Sequence, residues 1–331
     1  MLHHRRSRIR RNNPTGSDVH VNQLLTEIAG VYWQEYVPVS AQVFPVLKVM
    51  KRGGLVAVYN KGDLNRIEAA KRAPGAKIAT GDYRVTTSTS YYCHKYGLGK
   101  LIPDDDVDNT DLPFDLKRDG TRYCLDNVML RKEKDWAASA FTTGIWSTQK
   151  NGGGGDFVQW NAAGSTPIEN VREWKSSLKV ACGFRPNIGV FGSSAWDTFI
   201  DHPTVVDRVK HTSKEPLTEG LVAQMLGLDK VLVFDVVETT TAEGAATTTL
   251  AQIGNTESFL LARVATSPSP TTPSAGYTLA WTGGRGTDAQ GLRVKDYRIE
   301  EREGDMVEVE GAWDHKVIAA DMGLFAYDIL L

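Results

Sequence analysis

The sequence predicts a mixed α+β fold carrying one extended hairpin, and three observations predict it. Two β-rich runs, Lys48 to Tyr59 and Tyr83 to Leu98, flank a 23-residue connection. A single helical stripe runs from Asp115 to about Phe141, and short strands alternate with helices from Thr166 to the C-terminus. At 331 residues, and at about 150 residues per domain, the chain has room for roughly two domains and a sizeable core.

Residues 1 to 18 form a polar arm with Arg5, Arg6, Arg8, Arg10 and Arg11 against Asp18. The arm is locally +4, which leaves 33 basic and 39 acidic residues, or -6, on the remainder. Any contact with a polyanion is therefore expected of the arm, because a general nucleic-acid binder is basic across a whole face. Val21, Leu24, Leu25 and Ile28 recur at helical spacing and predict a docked turn of helix.

In the first β-rich run Leu55, Ala57 and Tyr59 alternate; in the second, Tyr83, Val85, Thr87, Thr89 and Tyr91 do. Period-two alternation predicts the two legs of one long hairpin. Its connection, residues 60 to 82, has turn points at Gly62, Gly75 and Gly81 and an excess of cations: Lys61, Arg66, Lys71, Arg72 and Lys77 against Asp63, Glu68 and Asp82. Loops of that length inside a domain are usually functional or partner-bound.

The carboxylates Asp104, Asp105, Asp106, Asp108 and Asp111 lack the Gly and Glu of an EF-hand, so they read as a solvated approach to the next helix. Along that helix Leu125, Met129, Trp136 and Ala140 make an apolar stripe, with Arg131, Lys132, Glu133, Lys134 and Asp135 crowding the turns between. Gly120 weakens its first turns, and NGGGGD at 151 to 156 is a break.

Thr166, Pro167 and Glu169 predict a capping box with Pro at the first helical position, and Val171, Trp174, Leu178 and Ala181 give the buried face. Residues 186 to 192 and 230 to 238 read as strands, with pieces of helix between. Thr-, Ser-, Gly- and Pro-rich loops lie at 239 to 249, 266 to 276 and 283 to 291. Residues 297 to 311 predict a hairpin turning near Glu303, Gly304 and Asp305, followed by an apolar segment from Lys316 to Leu330.

Catalytic and metal signatures are missing. Gly97, Gly99 and Lys100 lack the remaining residues of a phosphate loop, and Ser176 with Lys179 lacks the companion motifs of a serine acyl-transferase. Cys93, Cys124 and Cys182 stand far apart, which fits a reducing compartment during synthesis. His94, His202, His211 and His315 could converge only by folding. No run reaches the ~18 apolar residues of a membrane span, and no apolar core follows the basic N-terminus as in a signal peptide. The expectation is no enzyme, no cofactor, no metal and no membrane.

The order of parts resembles one family, the major capsid proteins of tailed double-stranded DNA phages, with their Hong Kong ninety-seven type fold. The segments YNKGDLNRIEAAKRAPGAKIATGDYRV, RKEKDWAASAFTTGIW, DHPTVVDRVKHT and TPSAGYTLAWT are similar to its E-loop, helix end and axial-domain segments. The resemblance implies an N-arm at 1–45, an E-loop hairpin at 46–102 and a peripheral domain with a spine helix at 103–165. It places an axial domain at 166–291 and the C-terminal peripheral strands at 292–331. It also implies hexamers and pentamers of an icosahedral virion shell, assembled in the host cytoplasm around double-stranded DNA. The portal protein and separate scaffold and decoration proteins would be its partners, since the hairpin begins too early for a fused scaffold.

Under this resemblance Lys61, Asp63, Arg66, Lys71, Arg72 and Lys77 are expected at an intersubunit contact, with Glu300, Glu301 and Glu303 of a neighbouring subunit as partners. The arm arginines would meet a neighbouring subunit or the DNA. Some relatives cross-link an E-loop Lys to a late Asn; residues 256 to 331 contain no Asn, so a non-covalent shell is expected. The alternatives are an encapsulin-type compartment and a nucleic-acid-binding protein that uses the basic arm.

Overall fold

In strand-rich chains the alternation of apolar and polar residues decides which face of each strand is buried, and the long C-terminal strand shows it most plainly. A computed structural model describes residues 38–108, 115–210, 217–242, 247, 249–269, 272–284 and 286–331. The N-terminal arm and its docked turn lie outside the described residues, as do Asp111 and His211. In chain order the elements are α1 (Val39–Val43), β1 (Val46–Val49), β2 (Gly53–Tyr59), α2 (Lys61–Leu64), β3 (Val85–Tyr92), β4 (His94–Pro103), α3 (Asp104–Asp108) and α4 (Leu116–Ala140). There follow β5 (Thr148–Asn151), α5 (Pro167–Cys182), β6 (Ile188–Gly192), α6 (Ser193–Asp201), α7 (Pro203–Lys210), α8 (Glu219–Leu226) and β7 (Lys230–Phe234). The chain then continues through β8 (Val237–Thr239), β9 (Leu250–Gln252), β10 (Phe259–Ala262), β11 (Gly276–Trp281), β12 (Leu292–Ile299), β13 (Gly304–Val317) and β14 (Gly323–Tyr327).

The first sheet is organised around β13, which pairs antiparallel with β12, β4 and β11; β1 adds parallel to β11. On one face of β13 Val307 and Val309 are fully buried against Leu125, Val128 and Met129 of α4. On the other face Glu308 and Glu310 pair with Lys295. Gly97 and Gly99, weighed above against a phosphate loop, are β4 residues opposite Glu310 and Glu308. A methyl at Gly99 would stand 3.0 Å from the Glu308 side chain, so the glycines make room for the carboxylates.

The second sheet has the order β5-β14-β10-β6-β7. Its inner strands β6 and β10 are buried throughout, as strands covered on both faces must be. One face packs on α5 through Ile168, Val171, Trp174 and Leu178, with Trp160, Phe191 and Phe259. The other face receives the C-terminal half of α4 through Trp136, Ala137, Ala140 and Phe141. Chain order does not separate the two sheets: β11 joins the first sheet although it precedes residue 292, and β14 joins the second. The fully buried Leu324, Phe325 and Ala326 fit the latter, because β14 lies between β5 and β10 in a sheet covered on both faces.

Several expectations need correcting. The hairpin legs are β2 and β3 alone, shorter than the β-rich runs, since β1 and β4 are drawn into the first sheet. The helix α5 starts where expected, but Thr166 makes no side-chain cap; its backbone at φ -133°, ψ 69° turns the hydroxyl from the first amides. Gly120 does not break α4, because it lies against Ile102 and Lys100 of β4. Most consequentially, Lys132 and Glu133, expected on the turns between the apolar stripe positions of α4, are fully buried. Lys132 stands three residues after Met129 and four before Trp136, which puts it on the apolar stripe itself.

The four aromatic rings Trp136, Phe141, Phe234 and Phe325 pack in mutual contact at centroid distances of 5.3 to 5.9 Å. Trp136→Ala is expected to destabilise the fold by about 3–5 kcal/mol, measured by denaturant unfolding.

Candidate functional site

A two-stranded ribbon cannot bury both its faces, so the hairpin is the part of this chain with most surface left over. The strands β2 and β3 pair from Gly53↔Tyr92 to Tyr59↔Val85, with a register shift between Val56 and Val58. Leu55, Tyr59, Val85 and Tyr92 remain exposed along it.

Polar contacts fix the root of the connecting loop. Asn60 caps α2, its side-chain oxygen accepting from the backbone N–H groups of Gly62 (2.8 Å) and Asp63 (3.4 Å). Asp63 then accepts from the Arg84 guanidinium at 3.0 Å and from the Arg84 backbone N–H at 3.2 Å. The Arg84 hydrogen bond holds the Asp63 carboxyl below its ordinary range, and the carboxylate raises the Arg84 guanidinium. Tyr59 and Tyr83 pack 5.9 Å apart beside this pair.

Farther out the contacts thin. Arg66 lies 3.7 Å from Asp63 and 3.4 Å from Glu68, and Arg72 donates to the Ala76 carbonyl across a turn whose Gly75 has φ 81°. Lys71 and Lys77 are exposed, and Ile67 and Ile78 present 93% and 71% of their surface. Those two isoleucines were passed over in the sequence because the charges around them draw attention. An apolar residue directly after a cation inside a loop too long for a turn is the signal that could have found them.

Lys61 points the other way, pairing with Asp321 and donating to the Ala181 carbonyl at 3.1 Å. Between hairpin and body lies a groove of about 940 Å³, lined among others by Val56, Val58, Leu64, Phe184, Tyr277 and Met322. Glu300, Glu301 and Glu303 sit exposed in the β12–β13 turn, with Glu303 in the left-handed region at φ 41°. There the Glu303 carbonyl accepts from the Asp104 N–H, and Arg298 holds the Asp104 carboxylate at 2.5 Å. Among the described residues no ion pair joins the loop cations to these glutamates: Lys61 pairs with Asp321, and Arg66 with Asp63 and Glu68.

The rest of the molecule offers structural polar groups. His202 lies between Ser165 (2.9 Å) and Thr204 (2.7 Å), and burial makes it less basic. The three thiols are buried, and desolvation pushes Cys93 up to about 12. Among the described residues no three His, Cys, Asp or Glu side chains come together to hold a metal, and no helix is long and apolar enough to cross a membrane.

Comparison with known proteins places this geometry. Residues 158–261 match the family described as phage major capsid protein E. Over 311 residues, 92% of this chain and 94% of the relative, the sequence is 25% identical to the major capsid protein of Burkholderia phage BcepMu. A crystal structure of a phage-related protein from Bordetella bronchiseptica RB50 superposes with a TM-score of 0.72 at 20% identity, covering 93% of this chain and 97% of that one. The capsid protein of cyanophage P-SCSP1u superposes with a TM-score of 0.56 at 12% identity, covering 86% of each. The fold is thus the α+β capsid fold of the Hong Kong ninety-seven type, and the family match with the curated relative supports a phage major capsid protein.

Removing the Asp63–Arg84 tie should free the loop without unfolding the body. Asp63→Asn is expected to speed tryptic cleavage at Arg66, Lys71, Arg72 and Lys77 a few-fold, read by mass spectrometry, at an unchanged melting temperature.

Proposed function

We propose that this chain is the shell-forming subunit of a tailed double-stranded DNA phage, assembling with copies of itself into hexamers and pentamers of an icosahedral virion shell. The observation that carries the reading is the hairpin: its outer half presents cations and two bare isoleucines that no described residue of its own chain covers. Such a surface gains its burial from a neighbour, and closed symmetry repeats that gain at every subunit. The match to a capsid family and the Burkholderia phage relative favour a phage shell over a compartment that encloses enzymes.

In this reading the first sheet with α4 forms the peripheral unit, the second sheet with α5 to α8 the axial unit, and β2 to β3 the E-loop. Arg66, Lys71, Arg72 and Lys77 meet Glu300, Glu301 and Glu303 of the adjacent subunit, while Lys61 and Asp63 brace the hairpin from within. The arm arginines meet a neighbouring subunit or the packaged DNA. Portal, scaffold and decoration proteins complete the particle, which is assembled in the host cytoplasm without covalent cross-links. The chain's role is structural and no reaction is assigned to it.

Negative-stain electron microscopy and sedimentation of the recombinant chain should show closed shells or capsomer rings, running as a single band on denaturing gels. A chain that stays monomeric even with its scaffold protein added overturns the reading. Arg66→Glu combined with Arg72→Glu is expected to lower assembly yield at least several-fold with the monomer fold retained; an unchanged yield removes these residues from the interface. Exposed pairs contribute only ~0–1 kcal/mol each, so the effect depends on repetition around the shell.

A further inference from the structure

Residues 38–45 enter the body through a buried polar clasp. At one end Ser40 donates from its hydroxyl to Glu133 Oε1 at 2.5 Å and from its backbone N–H to Oε2 at 3.1 Å. At the other end the Phe44 carbonyl lies 3.0 Å from Thr278 Oγ1, which is 2.9 Å from His315 Nδ1. His315 Nε2 in turn lies 3.1 Å from the Lys132 carbonyl. Because Lys132 and Glu133 are consecutive in α4, both ends of α1 lie on one circuit.

The protons of this circuit do not all fit one arrangement. A carbonyl only accepts, so Nε2 must carry a proton toward Lys132. Thr278 has one hydroxyl proton and two neighbours within reach of it. If it goes to Phe44, Nδ1 must also donate and the ring is an imidazolium. If the ring is neutral, Nδ1 takes the hydroxyl proton and the Phe44 carbonyl loses its partner. We propose that His315 is a proton switch on the entry of the chain: protonation at Nδ1 turns the Thr278 hydroxyl onto the Phe44 carbonyl and closes the clasp, and loss of that proton opens it.

The surrounding charges set the switch. From α4 the buried Lys132 ammonium, 5.7 Å from the Trp313 ring centroid, opposes a second cation. The Glu133 and Asp288 carboxylates act on Lys132 in the opposite sense. The groups facing His315 from β11 and α1 are the uncharged Thr278 hydroxyl and Phe44 carbonyl. On β13 the neighbours Asp314 and Lys316 alternate to the other face, where Asp314 accepts from the Tyr92 N–H at 3.0 Å. Burial and Lys132 together lower the ring to about 3, so it is neutral at pH 7 and the clasp is open at the Phe44 end. Since the folded value lies below the ordinary 6.5, the stability this ring contributes is present above 6.5 and is lost as pH falls toward 3.

The test uses the full chain labelled with ¹⁵N-histidine, in the wild type and in Lys132→Met, which removes the opposing charge. The wild-type ring should be neutral with the proton on Nε2 from pH 8 to 5. In Lys132→Met the imidazolium should appear at a higher pH than in the wild type, with amide exchange at Val43 and Val46 slowed about fivefold once the ring is charged, the worth of one hydrogen bond. Thr278→Val should abolish that slowing and Thr278→Ser keep it. A Lys132→Met ring that takes up its proton no more readily than the wild-type ring in a folded chain overturns the proposal, as does exchange that ignores the ring's protonation. Should Lys132→Met fail to fold, the Val and Ser variants compared below pH 4 decide it: equal exchange at Val43 and Val46 rejects the switch.

Discussion

The structure depends on α4 lying in two cores at once. Its N-terminal half packs on the first sheet through Leu125, Val128 and Met129, and its C-terminal half on the second through Trp136, Ala140 and Phe141. Twenty-five residues at about 1.5 Å each give a rod of roughly 37 Å, long enough to fix the spacing of both sheets. Neither sheet can shift without dragging the helix through the other core, which is packed like a crystal and does not deform continuously. The chain also weaves between the sheets, with β11 in one and β14 in the other, so the two units are stitched by strands as well as by the helix.

That arrangement has a cost at the middle of the helix. Where the two cores meet, the apolar stripe carries Lys132, and beside it Glu133, both without solvent exposure. Burial lowers the Lys132 ammonium to about 8 and raises the Glu133 carboxyl to about 6, each moving toward its neutral form. Buried charges rarely add net stability, but they specify geometry: an apolar pair there would accept several positions of α1, whereas Glu133 accepts two hydrogen bonds from one residue, Ser40. The polar residues therefore set where the entering chain sits, and the aromatic rings around them supply the cohesion.

What could be read in the sequence follows the same division. The α4 boundaries, the α5 start, β6, β7 and the β12–β13 hairpin are carried by local periodicity and helix signals, so they were legible from a short window. The partners of β1 and β4 are not legible in the sequence because pairing is non-local: nothing in Val46–Val49 announces Gly276–Trp281 as its neighbour. The Gly97 and Gly99 positions make sense only once Glu308 and Glu310 are placed opposite them. Lys132 and Glu133 were misplaced because charge was weighed over spacing, although the interval from Met129 to Trp136 leaves one stripe position between them. The loop charges were legible as a group, but their division into inner ties and outer surface required the fold.

The hairpin shows why that division matters for the proposed role. Asn60, Asp63 and Arg84 stiffen the root, where a modest change of angle would swing the tip by many ångströms. Among the described residues the tip is held by little more than Arg66 and one turn at Gly75, which leaves it free to conform to a neighbouring surface. In the proposed shell, a rigid root with a compliant tip would let identical chains make the same contact in rings of different curvature. Each contact would then be weak enough to be corrected during assembly, and a closed particle would gain its permanence from the number of contacts rather than from the strength of any one.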